Sequence, residues 1–547
     1  MNPSLVGRTR WARAARWRGW TWLLLGLVVA AYLWAELPYL DRYPLWNYDE
    51  GEITAPAYKL ATQGIFGTDL LTGYHGAEAH LYYLMPLYPL LMGGVFRMLG
   101  AGIWQARLLS VVSGLAGVLL TFGLGWYLHD RAVGLMAAAV LCLMRLGLTG
   151  SNSGLPFLDI ARVARYDILV PMWGLLGSLC FLWAHDRGPR LARWAYLACG
   201  VCIGLAALSN AFGALFLPFF VVCLLWADGL ATLRRPPLYL ILLGFLLAGL
   251  PWLLYVSLDP AGFVGQMAIQ ASRGHFDFLN PAFYWHNLIN ERYHYASWVG
   301  DHFSRPVLWP RAGIWVLALA VPTALVLLAR RLSGARRLAD IYTFVSLPLL
   351  ALLLAITNSV KIYGYLALVM PFLALQVAFG IVGLWRALGR SGPLPRVAIV
   401  LGLALVLIEG QMGVIGNLQT ARSAMPYEQV MTPIAASLTP GARVLATHAF
   451  WLGLRPAMVL SMNLPFYFSN PVFAGQAPVP LPAAMAQLKP DYILADYIVG
   501  PTLLLPAAED DPPLETEFWN YVKQHCRVSL TLPHTDYGPF TLYQCAN

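Results

Sequence analysis

The sequence predicts a mainly α-helical, polytopic membrane protein: a bundle of about 11 transmembrane helices, with interfacial helices in its first outer loop and a small C-terminal α/β domain. Three observations carry this. The 547 residues are 59% hydrophobic and only 12% charged, whereas a soluble chain carries about 25% charge. The apolar residues fall in blocks of about 20, the length that crosses a bilayer core, instead of one stripe per 3.6 residues. Residues 422–547 change character, being less apolar and richer in Pro, Asp and Glu.

In chain order the spans fall near 20–37, 105–128, 133–149, 166–184, 192–209, 211–229, 237–257, 312–330, 341–357, 363–385 and 397–416. Eleven spans put the termini on opposite sides. With the N-terminus inside, the inner tail and short loops carry eighteen arginines, among them Arg8, Arg131, Arg187, Arg234, Arg330 and Arg386. Only Asp130, Asp186, Asp228 and Asp340 oppose them. That asymmetry is the positive-inside pattern. The net charge of +9 therefore reports orientation and gives no support to nucleic-acid binding.

Between the first two spans, residues 38–104 form a long outer loop. Ile53, Ala57, Leu60 and Ala61 recur at helical spacing and predict a helix lying in the interface. The block LYYLMPLYPLLMGGVFRMLG (81–100) is span-length but holds two prolines. Counting it as a span would invert every later loop and erase the charge asymmetry, so it is read as re-entrant or interfacial. A second long outer loop covers 258–311. Residues 1–421 thus form the membrane domain and 422–547 an extracytoplasmic α/β domain, with helix-like 427–438 and 517–525 and strand-like 442–447, 491–496, 527–532 and 540–545. Cys142, Cys180, Cys199, Cys202 and Cys223 lie in spans, where cysteine acts as a small apolar residue. Cys526 and Cys545 lie in the outer domain, where a disulfide is permitted.

Residues 46–52, WNYDEGE, crowd three carboxylates at the membrane surface. One reading is structural: Asp49 as helix N-cap with Glu52 as its capping-box partner. The other needs cations on the same side. DIARVARYD (159–167) supplies Arg162, Arg165 and Asp167, and NSVKIYGY (358–365) supplies Lys361, Tyr363 and Tyr365. Carboxylates beside cations at a bilayer surface suit transfer of a group from a lipid-borne phosphate. A carboxylate takes the acceptor's proton, and Arg and Lys stabilise the departing phosphate.

Taken in order, the first span, the DE pair, LYPLL…FRMLGAGIWQARLLSVVSGLAGVLL, VARYDILVPMWGLLGSL, GLAALSN and KIYGYLALVMPFLAL resemble the GT-C superfamily of integral-membrane glycosyltransferases. These use polyprenyl-phosphate sugars. The likeness runs over roughly residues 20–390 and is nearest the protein O-mannosyltransferase and aminoarabinose transferase branch. It implies an inverting glycosyltransferase of the cell membrane with its site on the extracytoplasmic face. It implies Asp49 as catalytic base and Glu50 as a residue that helps hold the acceptor. Arg165 with Asp167, and Lys361 with Tyr363 or Tyr365, would serve the donor phosphate or the architecture of the site. The implied partners are a polyprenyl-phosphate sugar and a protein, lipid or glycan acceptor.

The sequence departs from the branch at Asn210, where relatives often carry lysine, and at YHGAEAHLYYL (74–84), which stands where the aminoarabinose branch is basic. His75, Glu78 and His80 of that stretch are read either as hydrogen-bonding groups for acceptor or donor, or with Asp49 as ligands of a divalent metal ion. Trp285, His286, Arg292 and Tyr293 are sugar-binding candidates or interface anchors. A transporter or flippase of lipid-linked sugars and a non-catalytic membrane subunit are the rival functions.

Overall fold

The computed structural model describes residues 19–147, 153–274, 277–299, 311–334, 337–388, 393–474, 478–496 and 512–546. Among the described residues, nine helices are long and apolar enough to cross a membrane. They are Ile103–Leu128, Tyr166–His185, Pro189–Ser209, Ala211–Arg234, Pro236–Val256, Ala312–Leu332, Leu338–Thr357, Met370–Ala387 and Leu394–Ala436. All nine coincide with expected spans. The first and third expected spans are the shorter apolar helices Trp20–Glu36 and Arg131–Leu143.

Arg131–Leu143 stops well before the expected end at 149, for two local reasons. Leu146 and Gly147 donate backbone hydrogen bonds to Gly154 O, both at 2.9 Å, so the chain leaves the helix for a turn. The helix is also inserted among its neighbours rather than set against lipid: a Cβ on Gly134 would lie 2.5 Å from Phe122 O. A helix inside the bundle can be shorter than the bilayer is thick.

Two helices occupy the loop after Trp20–Glu36: the one that periodicity predicts and one within the proline-containing block 81–100. Tyr48–Gln63 starts at the N-cap Asn47 and ends at Gly64, which takes the left-handed conformation (φ +73°) that closes many helices. Leu87–Leu99 has 13 residues and packs on it, with Gly93 against Ala57.

One buried ion pair ties this loop to the bundle. Glu50 accepts hydrogen bonds from Arg107 Nε and Nη2 at 2.7 Å each, and from Ala164 N at 2.8 Å. The remaining Arg107 Nη1 donates to Leu40 O at 2.8 Å. Both side chains are wholly shielded from solvent. A fork-to-fork pair satisfies a carboxylate that would otherwise be prohibitively costly to bury.

The tail folds as a five-stranded mixed sheet in the order β2-β1-β3-β5-β4: β1 Arg443–Ala446, β2 Met458–Ser461, β3 Tyr492–Ala495, β4 Cys526–Leu532 and β5 Phe540–Cys545. β1 runs parallel to β2 and β3, while β5 is antiparallel to β3 and β4. Strand β2 is the strand absent from the sequence prediction. Cys526 and Cys545 face each other in register across β4 and β5 and form a disulfide.

The sheet and the first loop share a single apolar core. Trp46, Ile53, Tyr74 and Tyr88 are buried in the same cluster as Val430, Leu445, Leu460 and Phe466. At the seam the approach is close enough to demand glycine: a Cβ on Gly51 would fall 2.0 Å from His448 O. Tyr48 stacks on the His448 ring at 4.2 Å and accepts a 2.7 Å hydrogen bond from Asn463 Nδ2.

Two stability predictions follow from this packing. Arg107→Met leaves Glu50 buried without its partner and destabilises the protein by about 3–5 kcal/mol; a thermal midpoint in detergent equal to the wild type's would contradict it. Gly51→Ala gains up to about 1 kcal/mol of helix propensity but must push apart two backbones, which costs about 1–3 kcal/mol. The expected net result is a lower midpoint and faster proteolysis of the tail, read on a gel.

Candidate active site

Asp49 sits in the first turn of Tyr48–Gln63. The alternative in which Asp49 caps that helix with Glu52 is corrected here. The helix starts earlier, and the box is Asn47 with Glu50: Glu50 N donates to Asn47 Oδ1 at 3.1 Å, and Asn47 N to Glu50 Oε2 at 3.3 Å. Capping and the Arg107 pair engage Glu50 fully. Asp49 is left with 42% of its side chain exposed. The two neighbouring acids therefore stand in opposite environments.

Arg165 joins Asp49 to Asp167. Its Nη1 contacts Asp49 Oδ2, and its Nε donates to Asp167 Oδ2 at 2.7 Å. Asp167 is 2% exposed and takes a second hydrogen bond, from Asn210 Nδ2, at 3.1 Å. The 361–365 segment closes on this pair at Gly364, where a Cβ would stand 2.9 Å from Asp167 Oδ2. Glycine is what lets that backbone come so near. Tyr365 packs edge-on against Phe212 beside Asn210, with ring centroids 5.0 Å apart, and Tyr363 is half-buried. Asp49, Arg165, Asp167 and the Lys361-bearing turn thus gather at the end of the bundle where the sheet sits.

Lys361 Nζ donates to Glu291 Oε2 and to Ala355 O, both at 2.8 Å. Burial lowers the lysine pKa, and the Glu291 bond opposes that shift without cancelling it. Glu291 also faces His294 Nδ1 at 2.9 Å. Burial alone would raise the Glu291 pKa, but the hydrogen bonds from His294 and Lys361 outweigh it and hold the carboxylate below its usual range.

Other sequence candidates lie elsewhere or face inward. Arg162 is 2% exposed and donates to the carbonyls of Ala35, Glu36, Pro38 and Tyr43. It closes the C-terminal end of Trp20–Glu36, whose last carbonyls have no partner within the helix. His75 Nε2 lies 3.5 Å from Phe473 O, Glu78 accepts from Gly73 N at 3.0 Å, and His80 Nδ1 meets the Tyr255 hydroxyl at 3.2 Å. Among the described residues, no three His, Cys, Asp or Glu side chains gather to hold a metal ion. Trp285 is 62% exposed and Tyr293 41%, on the segment that ends at Glu291 and its neighbours.

Sequence reasoning missed three partners: Arg107, Glu291 and His448. Arg107 carried a usable signal, since a lone arginine inside an apolar block is a functional suspect by default. Glu291 and His448 carried none, because each meets its partner only through the fold.

No protein-family model matches the chain, and no curated protein sequence does. Solved structures do. ArnT from Cupriavidus metallidurans, bound to undecaprenyl phosphate, superposes with a TM-score of 0.63 at 15% identity, covering 96% of this chain and 98% of that one. The same protein in its apo state gives 0.60 at 14% identity, covering 96% and 98%. Archaeal oligosaccharyltransferase AglB from Archaeoglobus fulgidus, in complex with an inhibitory peptide and a dolichol-phosphate, gives 0.57 at 14% identity, covering 95% and 74%. At such identities the likeness is one of architecture: the chain shares the fold of these structures, a polytopic helical bundle with a small C-terminal domain.

Proposed function

We propose that the protein is an inverting glycosyltransferase that moves a sugar from a polyprenyl-phosphate carrier to an acceptor hydroxyl on a protein, lipid or envelope glycan. The observation that carries this reading is Asp49: an exposed carboxylate beside Arg165, in a fold shared with a structure bound to undecaprenyl phosphate. The chemistry needs one base, one cationic cradle and two openings. Asp49 takes the proton of the acceptor hydroxyl as its oxygen attacks the anomeric carbon. The bond from that carbon to the phosphate oxygen breaks on the opposite side, and polyprenyl phosphate leaves with the electron pair. Arg165 and Lys361 stabilise the charge gathering on the phosphate, with Tyr363 and Tyr365 flanking them.

Glu50 takes a different part in this scheme from the one the family resemblance implies. It is shielded and committed to Arg107 and Ala164, so it positions the helix that bears Asp49 and has no free oxygen for an acceptor. Arg162 supports the frame in the same way. His75, Glu78 and His80 keep local hydrogen-bonding roles in the loop. The arginine-rich short loops at the opposite end support a multi-pass protein of the cell membrane whose chemistry is extracytoplasmic.

Asp49→Asn is expected to cut release of free polyprenyl phosphate from radiolabelled polyprenyl-phosphate sugars by about 10²–10⁴-fold, the usual worth of a general base. The protein should still insert and bind lipid. Turnover near the wild-type rate would sink the assignment. A parallel arm with chelator reads metal dependence directly.

A further inference from the structure

Both cations assigned to the donor phosphate already have carboxylate partners. Arg165 bridges Asp167 and Asp49, and Lys361 is bonded to Glu291. Lys361 and Glu291 balance one another, whereas two carboxylates, Asp49 and Asp167, against Arg165 leave that group formally negative. An anionic headgroup arriving there meets repulsion unless a carboxylate gives way.

The three carboxylates are not equally free to move. Asp167 is 2% exposed, binds Asn210 through its other oxygen at 3.1 Å, and is roofed by Gly364. Displacing it would strip a buried charge of two partners, which is strongly unfavourable. Glu291 is 15% exposed and engages His294 as well as Lys361. Asp49 is 42% exposed and meets the outer edge of the guanidinium, where water can take the arginine's place. The pair is open on one side only: the carboxylate reaches water while the guanidinium stays covered, 12% exposed. The planar fork of arginine suits such an exchange: Nε stays on Asp167 as a fixed hinge while the Nη edge changes partner.

We propose, resting on the reading of Asp49 as the base, that Asp49 and the phosphate of the lipid-linked donor exchange at the Nη edge of Arg165. In the resting protein the arginine occupies Asp49 Oδ2, so that oxygen is not open to an acceptor hydroxyl. The donor phosphate takes the Nη edge and releases Asp49 towards the acceptor side. No covalent bond changes in this step; one ion pair is traded for another. The Asp49 oxygen therefore becomes available only once the sugar donor is seated, and the donor binds before the acceptor. Asp167 is the positioning residue that keeps Arg165 in reach of both partners.

The test is equilibrium binding of undecaprenyl phosphate to the full-length protein in lipid nanodiscs. Asp49→Asn frees the Nη edge and is expected to tighten binding about ten-fold, equivalent to about 1.4 kcal/mol. Removing a negative charge also helps any anion nearby, so the same substitution is repeated in an Arg165→Gln background. There the gain should shrink to about two-fold or less. No tightening in Asp49→Asn, or equal tightening in both backgrounds, overturns the exchange. If Arg165→Gln does not insert, Arg165→Lys replaces it: the charge remains but the fork is lost, and the gain should again shrink. An undiminished gain there overturns the proposal equally. Inorganic phosphate as a second probe separates headgroup from tail. A matching gain assigns the exchange to the phosphate alone, a gain with the lipid only assigns it to the lipid-borne phosphate, and no gain with either overturns it. Failures of the two readings are distinguishable. Arg165→Gln with unchanged affinity removes the phosphate assignment, and wild-type turnover by Asp49→Asn removes the base. Weakened binding in Arg165→Gln with no gain from Asp49→Asn removes only the exchange.

Discussion

A carboxylate without solvent has to be fully paired, and the Glu50–Arg107 fork is the interaction on which the rest of the candidate site depends. It joins the first turn of Tyr48–Gln63 to the second turn of Ile103–Leu128, and the Ala164 amide adds a third strand of attachment just before Arg165. Three segments that are remote in sequence are thereby fixed at one point. Asp49, next door on the same helical turn, inherits a defined position without having to hold anything together itself. Adjacent acids can divide labour in this way because successive residues on a helix point about 100° apart.

The same economy governs the cations. In a low-dielectric setting an arginine is held by whatever acceptors are near, and here the assignments differ by depth. Arg162, sealed under the end of Trp20–Glu36, spends its donors on backbone carbonyls. Arg107 spends its donors on one carboxylate and one carbonyl. Arg165, nearer to solvent, is shared between a shielded acid and an exposed one. Residues of one type in one region thus range from structural to exchangeable, and burial decides which.

That gradient explains what was legible in the sequence. Span length and loop charge follow from composition along the chain, so nine of the spans and the interfacial helices could be read directly. The nearness of Asp49 to Arg165 and Asp167 was readable as two charged motifs expected on one side of the membrane. Arg162 was not distinguishable from Arg165, because the two differ only in what covers them. The helix beginning at Arg131 ran long in the reading because hydropathy does not register a turn such as the one that pairs Leu146 with Gly154. Strand β2 is as short as β1 and β3, which were legible, so length does not account for its having been missed. Glu291 meets Lys361 across 70 positions and His448 meets Tyr48 across 400, separations at which residue type alone says nothing.

The C-terminal domain belongs to this frame and is not merely appended to it. Its β1–β2 region supplies His448 and Asn463 to Tyr48, the residue before Asp49, and its backbone lies directly under Gly51, two residues after it. Trp451 Nε1 adds a 3.2 Å hydrogen bond to Thr54 Oγ1 one turn further on. The helix carrying Asp49 is therefore clamped from two directions: by Arg107 from the membrane bundle and by the sheet from the tail. Under the proposed mechanism the leaving phosphate and the incoming hydroxyl lie on opposite sides of the anomeric carbon. With the cations on the Arg165 side, that mechanism brings the hydroxyl in from elsewhere around Asp49, where the tail forms part of the surroundings. The domain that braces Asp49 is thus also placed, in the proposed mechanism, to shape what reaches that carboxylate.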